Sequence, residues 1–175
     1  VLPAGMETLA KTFSKRGVLL IPIIMLFIAT CDALIGMCEL CLLYVPLLLP
    51  LMLQMGFDSM TALATVFCAS AAGFTAALTN PFSIVISQKI VGLPLYSGIQ
   101  FRIVAFVTFL AISMLYVTRY ATKVLKNPEA SLTYKEDLEK RERILKEAAA
   151  TKREELNTRT NLAGIFALCV FAFMI

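Results

Sequence analysis

From Ser59 to Gln88 the chain runs for thirty residues without a charged side chain. A helix needs about 20 apolar residues to cross a hydrocarbon core about 30 Å thick. This run is therefore too long for one straight crossing, and it contains Gly73 and then Asn80-Pro81. The rest of the chain agrees with a lipid environment. Hydrophobic residues make up 59% and charged ones 16%, against about 45–50% and about 25% in soluble domains. A soluble globular domain is excluded, and so is intrinsic disorder, which needs low hydrophobicity. There is no His, so His-based catalysis and His-rich metal sites fall away. Trp is absent too, and any interfacial aromatic belt has to come from the 5 Tyr and 12 Phe.

The other apolar runs are uneven. Gly17–Cys31 is short and ends at Asp32. Leu40–Phe57 reaches spanning length only with Pro46 and Pro50 inside it. Ile103–Thr118 is clean, between Arg102 and Arg119. Thr160–Ile175 reads as the start of a further span. The segment between the first two runs carries Asp32 and Glu39. Two readings stand: two spans joined by an exposed loop, or a re-entrant hairpin that returns to its own side of the membrane. Irregular backbone at membrane depth survives only against protein or a watery cavity, and the short runs favour the hairpin.

Lys11, Lys15 and Arg16 precede the first run, and Lys123 and Lys126 follow Ile103–Thr118. Cytoplasmic loops are rich in Lys and Arg, so both places are expected inside. Hairpin and paired spans alike give an even number of crossings. Either way, Gly92–Gln100 falls outside and Gly56-Phe57-Asp58 inside. Residues 128–160 hold 8 Lys+Arg and 8 Asp+Glu, a net charge of zero that gives nucleic-acid binding no support. Thr133-Tyr134-Lys135-Glu136 fits a capping box. Glu136/Lys140, Asp137/Arg141, Glu139/Arg143 and Glu142/Lys146 are i,i+4 pairs in the favourable direction. A solvated cytoplasmic helix is expected there. The chain starts at Val1 and stops within an apolar run at Ile175, which reads as an internal piece of a larger membrane protein.

The chemistry-bearing candidates are few. In Thr79-Asn80-Pro81, Pro81 removes a backbone donor and disfavours helix at Asn80. Carriers use such broken helices near the bilayer midplane, where freed backbone groups hold ions and substrate; the plainer alternative is a proline kink capped by Asn80. Ser70-Ala71-Ala72-Gly73 is small enough for close helix packing. A carboxylate within a membrane marks an ion or substrate path, and Glu39, nearer the turn, is favoured for that role over Asp32. Cys38-Glu39-Leu40-Cys41 has no partner motif for zinc or redox chemistry and reads as apolar filling. Lys89 is expected to snorkel, and Arg102 to anchor its span. Asp32 and Asp58 lie in no recognisable catalytic motif, so an enzyme is not expected.

Several blocks together carry a resemblance: Gly36-Met37-Cys38-Glu39, Tyr44-Val45-Pro46-Leu47-Leu48-Leu49-Pro50, Gly56-Phe57-Asp58-Ser59-Met60-Thr61-Ala62, Gly73-Phe74, Thr79-Asn80-Pro81-Phe82 and Gly92-Leu93-Pro94-Leu95-Tyr96-Ser97-Gly98-Ile99. In order and spacing, from about Val1 to about Arg143, they resemble the YfcC family. That family is grouped with the anaerobic four-carbon-dicarboxylate carriers in the wider ion transporter superfamily. The resemblance implies a bacterial inner-membrane carrier of two inverted repeats, each with a re-entrant hairpin and a broken helix. It implies site residues at Gly36 and Glu39 on the hairpin and at Thr79, Asn80 and Pro81 on the break. The chain departs from the pattern at Leu40, where a second acidic residue is expected, and at Ala76-Ala77-Leu78, where a smaller and more polar stretch is expected.

The expected fold is thus an all-α integral membrane protein forming one repeat of an inverted-repeat carrier. Residues 1–120 make the transport repeat, with its hairpin at 17–53, broken helix at 59–91 and closing span at 102–120. Residues 121–160 make a charged cytoplasmic linker helix, and 161–175 begin a further transmembrane helix. The expected function is that of a fragment of a secondary transporter, symporter or antiporter, for small organic carboxylates or amino acids by alternating access. The alternative is a non-transporting structural subunit or a channel. No cofactor is expected beyond a coupling sodium ion or proton. The expected partners are the lipid bilayer, a small carboxylate or amino-acid substrate and the remainder of the carrier chain, with a homodimer left open.

Overall fold

The computed structural model describes residues 17–143, and the expectations for 1–16 and 144–175, the further span included, lie outside the described residues. Helix α1 covers Gly17–Leu34. A one-turn 3-10 segment at Cys38–Leu40 leads into α2, Cys41–Gln54. Helix α3 is Ser59–Ala76; after an interruption, a wide turn at Pro81–Val85 leads into α4, Ile86–Val91. Helix α5 is Ile99–Lys126, and a last helix, α6, is described over 134–143. Among the described residues there are no strands, and three segments are long and apolar enough to cross a membrane: Gly17–Leu34, Ser59–Val91 and Ile99–Lys126. The chain is an all-α membrane protein.

Backbone chemistry sets where these helices begin and end. Asp58 caps α3, its carboxylate accepting from Thr61 N at 2.8 Å. At the other end, Ala77 takes a left-handed conformation with φ 44, which costs a residue with a Cβ about 1–2 kcal/mol. Pro46 and Pro50 sit inside α2 without ending it, as neighbouring helices permit in a membrane protein. Helix α5 is longer than expected at both ends. It starts after Gly98 and carries Arg102 and Arg119 within it; Arg119 is exposed, as long basic side chains reach out of an apolar segment, whereas Arg102 turns back to Ser97 O. It stops at Asn127-Pro128, with Lys123 and Lys126 in the last turn, where positive charge suits the helix C-terminus.

Helix α3 lies at the centre and packs against α1, α2 and α5. Its buried face is built from small residues, among them Ala62, Ala69, Ala72, Gly73 and Ala76. A Cβ added at Gly73 would overlap the Ala29 carbonyl of α1. Backbone meets backbone there, the kind of approach that small residues allow in membranes. Into this seam α1 projects Ile21, Met25 and Ile28, while α5 adds Leu110, Val117 and Ala121. The outer face of α5, including Phe101, Val104, Ile112 and Tyr116, is exposed.

Helices α1 and α2 form a hairpin with its open ends together: an added Cβ at Gly17, which opens α1, would meet Met55 and Phe57, which follow α2. The hairpin tip rises alongside α3, so Ala29 meets Gly73 in the last turns of both helices and Gly36 at the tip meets Asn80 just beyond α3.

Helix α6 exposes most of its described residues, but one face of it is docked on the bundle. Asp137 is only 3% exposed. It accepts from Ser59 N at 2.7 Å, from the Ser59 hydroxyl, and from Thr133 Oγ1 at 2.7 Å. Thr133 thus serves Asp137 instead of completing a box with Glu136. Arg141 donates to Phe57 O at 2.8 Å. Of the expected pairs within the described residues, Glu136–Lys140 forms at 3.8 Å. Asp137 and Arg141 are turned instead toward the start of α3, whose unpaired N–H groups attract carboxylates.

Candidate functional site

The hairpin tip and the interruption after α3 meet. Gly36 has φ 80, and an added Cβ would overlap the Asn80 carboxamide. Only glycine allows both that backbone and that approach. Thr79 straps the break to the end of α1: its N–H donates to Ala33 O at 3.2 Å and its hydroxyl to Leu34 O at 3.1 Å. These are among the last carbonyls of α1, which have no partner within the helix.

Asn80 is fully buried. Its Oδ1 accepts from Phe82 N at 2.9 Å and Ser83 N at 3.3 Å, so it caps the segment that follows. Pro81 sits at the first position of that segment, where its missing donor costs nothing. Asn80 therefore acts as a cap at the place where the helix is interrupted. Capping uses only the oxygen. Asn80 Nδ2 is buried with no hydrogen-bond partner, and so is the Ser83 hydroxyl. The break also frees backbone: Thr79 N–H has turned from its own helix to Ala33, and Pro81 has no N–H to offer. The result is a buried, polar, incompletely satisfied junction in an apolar protein.

The five expected site residues divide. Gly36, Thr79 and Asn80 converge on this junction. Pro81 borders it with an exposed ring, and Glu39 is exposed on the 3-10 segment beyond the tip. The carboxylate that is buried is Asp32, at 1% exposure. Its place was legible in outline, since Ile21, Met25, Ile28 and Asp32 share one helical face of α1 and all are buried. Cys38 and Cys41 are free thiols, the first exposed and the second buried. No group of three or more metal-capable side chains occurs among the described residues.

Two further polar clusters escaped the sequence reading. At the start of α3, Asp58 accepts from Tyr120 OH and Ser131 Oγ, each at 2.6 Å, as well as from Thr61. Burial works against its charge, but the bonds from Ser131, Thr61 and Tyr120 outweigh it and hold the carboxyl below the ordinary aspartate value. In α4, Gln88 clamps the 92–98 loop, giving Nε2–H to Ser97 O at 3.0 Å and accepting from Tyr96 N at 2.7 Å. Arg102 joins it through Ser97 O at 3.0 Å. The first cluster unites residues far apart in sequence, so no local pattern announces it; the second is local, within residues 88–102.

A helical hairpin seated on an interrupted helix, with unsatisfied polar groups at the contact, is the central feature of this all-α membrane chain. The comparisons give the particular family. A model of the C4-dicarboxylate anaerobic carrier family, DcuC, matches residues 2–175, and the chain belongs to that family. It is 33% identical over 133 residues to YfcC of Escherichia coli K12, named as a proposed basic amino acid antiporter, covering 76% of this chain and 26% of that one. It is 31% identical over 103 residues to a Haemophilus influenzae Rd protein of uncharacterised function, covering 59% of this chain and 20% of that one. The chain thus spans about a quarter or less of the length of these relatives. No solved structure matches it.

Proposed function

We propose that this chain works within a secondary active carrier of the bacterial inner membrane. The carrier moves small organic carboxylates or amino acids by alternating access, as symporter or antiporter. The observation that carries the reading is the seating of Gly36 against Asn80 at the interruption between α3 and α4, with Asn80 Nδ2 buried and unpaired. A buried donor without a partner is expensive, and a substrate carboxylate is a natural acceptor for it. The backbone freed at the break offers oxygens to a cation, as broken helices in carriers do.

In this reading the hairpin is re-entrant, the tip and break form half of the transport site, and the remainder of the carrier chain supplies the other half. Closing the tip on the break excludes water from bound substrate; lifting it opens one side. Residues 92–98 then face outward and α6 lies in the cytoplasm.

The test is uptake by the full-length carrier in proteoliposomes, using labelled succinate, arginine, ornithine and acetate, with and without a sodium gradient. Saturable uptake of one of these is expected, weakened by Asn80→Ala. An unchanged substrate affinity and ion dependence in Asn80→Ala would refute the site. No uptake or exchange of any compound would refute the carrier reading. A cysteine at Ser97 should label from outside and one at Glu139 only from inside; the reverse overturns the orientation.

A further inference from the structure

The mechanism above leaves one buried ionisable group unused. Asp32 lies one turn before the tip, between α1, α2 and α3, and neither carboxyl oxygen has a hydrogen-bond partner. The Tyr44 hydroxyl of α2, also buried, has none either. Among the described residues no Lys or Arg is ion-paired with Asp32. The groups that face it are Glu39 on the tip, Cys31 on its own helix, Cys41 and Tyr44 on α2, and Ser70 on α3. None of these brings positive charge.

A bare carboxylate in such a place is too costly to keep, and a buried acid without a partner takes up a proton instead. A bound sodium ion is a poorer fit, because a hard cation wants a shell of several oxygens. Around Asp32 the hydroxyls of Ser70 and Tyr44 stand among thiols and apolar side chains.

We propose that Asp32 is a proton-binding site, loaded while the hairpin tip is seated on α3 and emptied when the tip lifts. The step is a simple ionisation: the carboxyl O–H bond breaks, its electron pair stays on the carboxylate, and the proton passes to water. Water reaches Asp32 only if the seam between the hairpin and α3 opens. The residues that follow Asp32 are Ala33 and Leu34, whose carbonyls hold Thr79. Opening the seam thus breaks the strap on the transport junction, which ties proton release to exposure of the substrate site. The proposal rests on the carrier reading and assigns the coupling ion and its residue.

The experiment uses the purified full-length carrier and has two arms. Infrared spectra at neutral pH should contain a protonated-carboxyl C=O band that is absent in Asp32→Asn and retained, shifted, in Asp32→Glu. In proteoliposomes an imposed pH gradient should raise wild-type uptake severalfold, a response lost in Asp32→Asn and kept in Asp32→Glu. A band untouched by Asp32→Asn, or one removed by adding sodium at constant pH, overturns the proton site. A pH-gradient response that survives Asp32→Asn overturns the coupling. If the wild-type protein transports nothing, the carrier reading has failed, and the infrared arm still decides whether Asp32 holds a proton.

Discussion

The contact between Gly36 and Asn80 makes a quantitative prediction. Gly36→Ala imposes two separate penalties. A Cβ at φ 80 costs about 1–2 kcal/mol from local backbone strain alone. The same Cβ overlaps the Asn80 side chain, which must move. Moving it breaks the caps to Phe82 N and Ser83 N, worth about 1 kcal/mol each. The expected loss is about 3–4 kcal/mol on these two terms. Gly92 supplies the control: it has φ 73, yet nothing lies within 4 Å of an added Cβ. Gly92→Ala should therefore cost only the strain, about 1–2 kcal/mol. The difference between the two variants, about 2 kcal/mol, isolates the tip–break contact. Stepwise SDS unfolding of the reconstituted protein reads it, with wild type, Gly36→Ala and Gly92→Ala side by side. Equal losses in the two variants would show that the tip does not sit on Asn80, and the proposed transport site would lose its foundation.

Other outcomes follow from the same geometry. Ala77→Gly should raise unfolding stability by about 1 kcal/mol, because glycine takes φ 44 without the Cβ penalty; a destabilised variant would contradict the strained cap. Asp58 has its folded value depressed, so its contribution is complete above the ordinary aspartate value of about 3.9 and is lost as pH falls through the folded one. Acid titration of unfolding should show this loss in the wild type and not in Asp58→Asn; identical profiles would contradict it. Arg141→Ala combined with Asp137→Ala should release α6, seen as faster proteolysis between 127 and 143 in inside-out vesicles, which expose the cytoplasmic face; unchanged cleavage would mean that α6 is held by other contacts.

The helical class and the membrane setting were legible in the chain because they depend on local quantities. A thirty-residue uncharged run and a 59% hydrophobic composition leave a backbone that must satisfy its own hydrogen bonds, and helix does so within one segment. The interruption was legible as well, since Pro81 lacks a donor wherever it is placed. Gly73 announced a close approach, and the structure supplies its partner, Ala29.

The carboxylates were harder. Glu39 and Asp32 sit only seven residues apart, and composition treats them alike. Helical phase separates them: α1 continues through Asp32 and turns it toward α3, whereas Glu39 falls on a 3-10 turn facing out. The docking of the residues after Pro128 was hidden for a related reason. Their alternating charges describe an ideal solvated helix, but Asp137 is 78 residues from Ser59 and Arg141 is 84 from Phe57. No local pattern can show that the unpaired N–H groups of α3 wait at that distance.

By itself, then, the amino-acid sequence determined an all-helical membrane chain, the place where its longest apolar segment must break, and the small residues that let helices touch. Those are properties of single segments, set by hydrogen-bond supply and side-chain volume. Tertiary structure alone decided which polar groups are buried, which are paired, and which are left open. That decision belongs to packing: Gly36 meets Asn80, and Asp32 loses its water, only because the hairpin closes on α3.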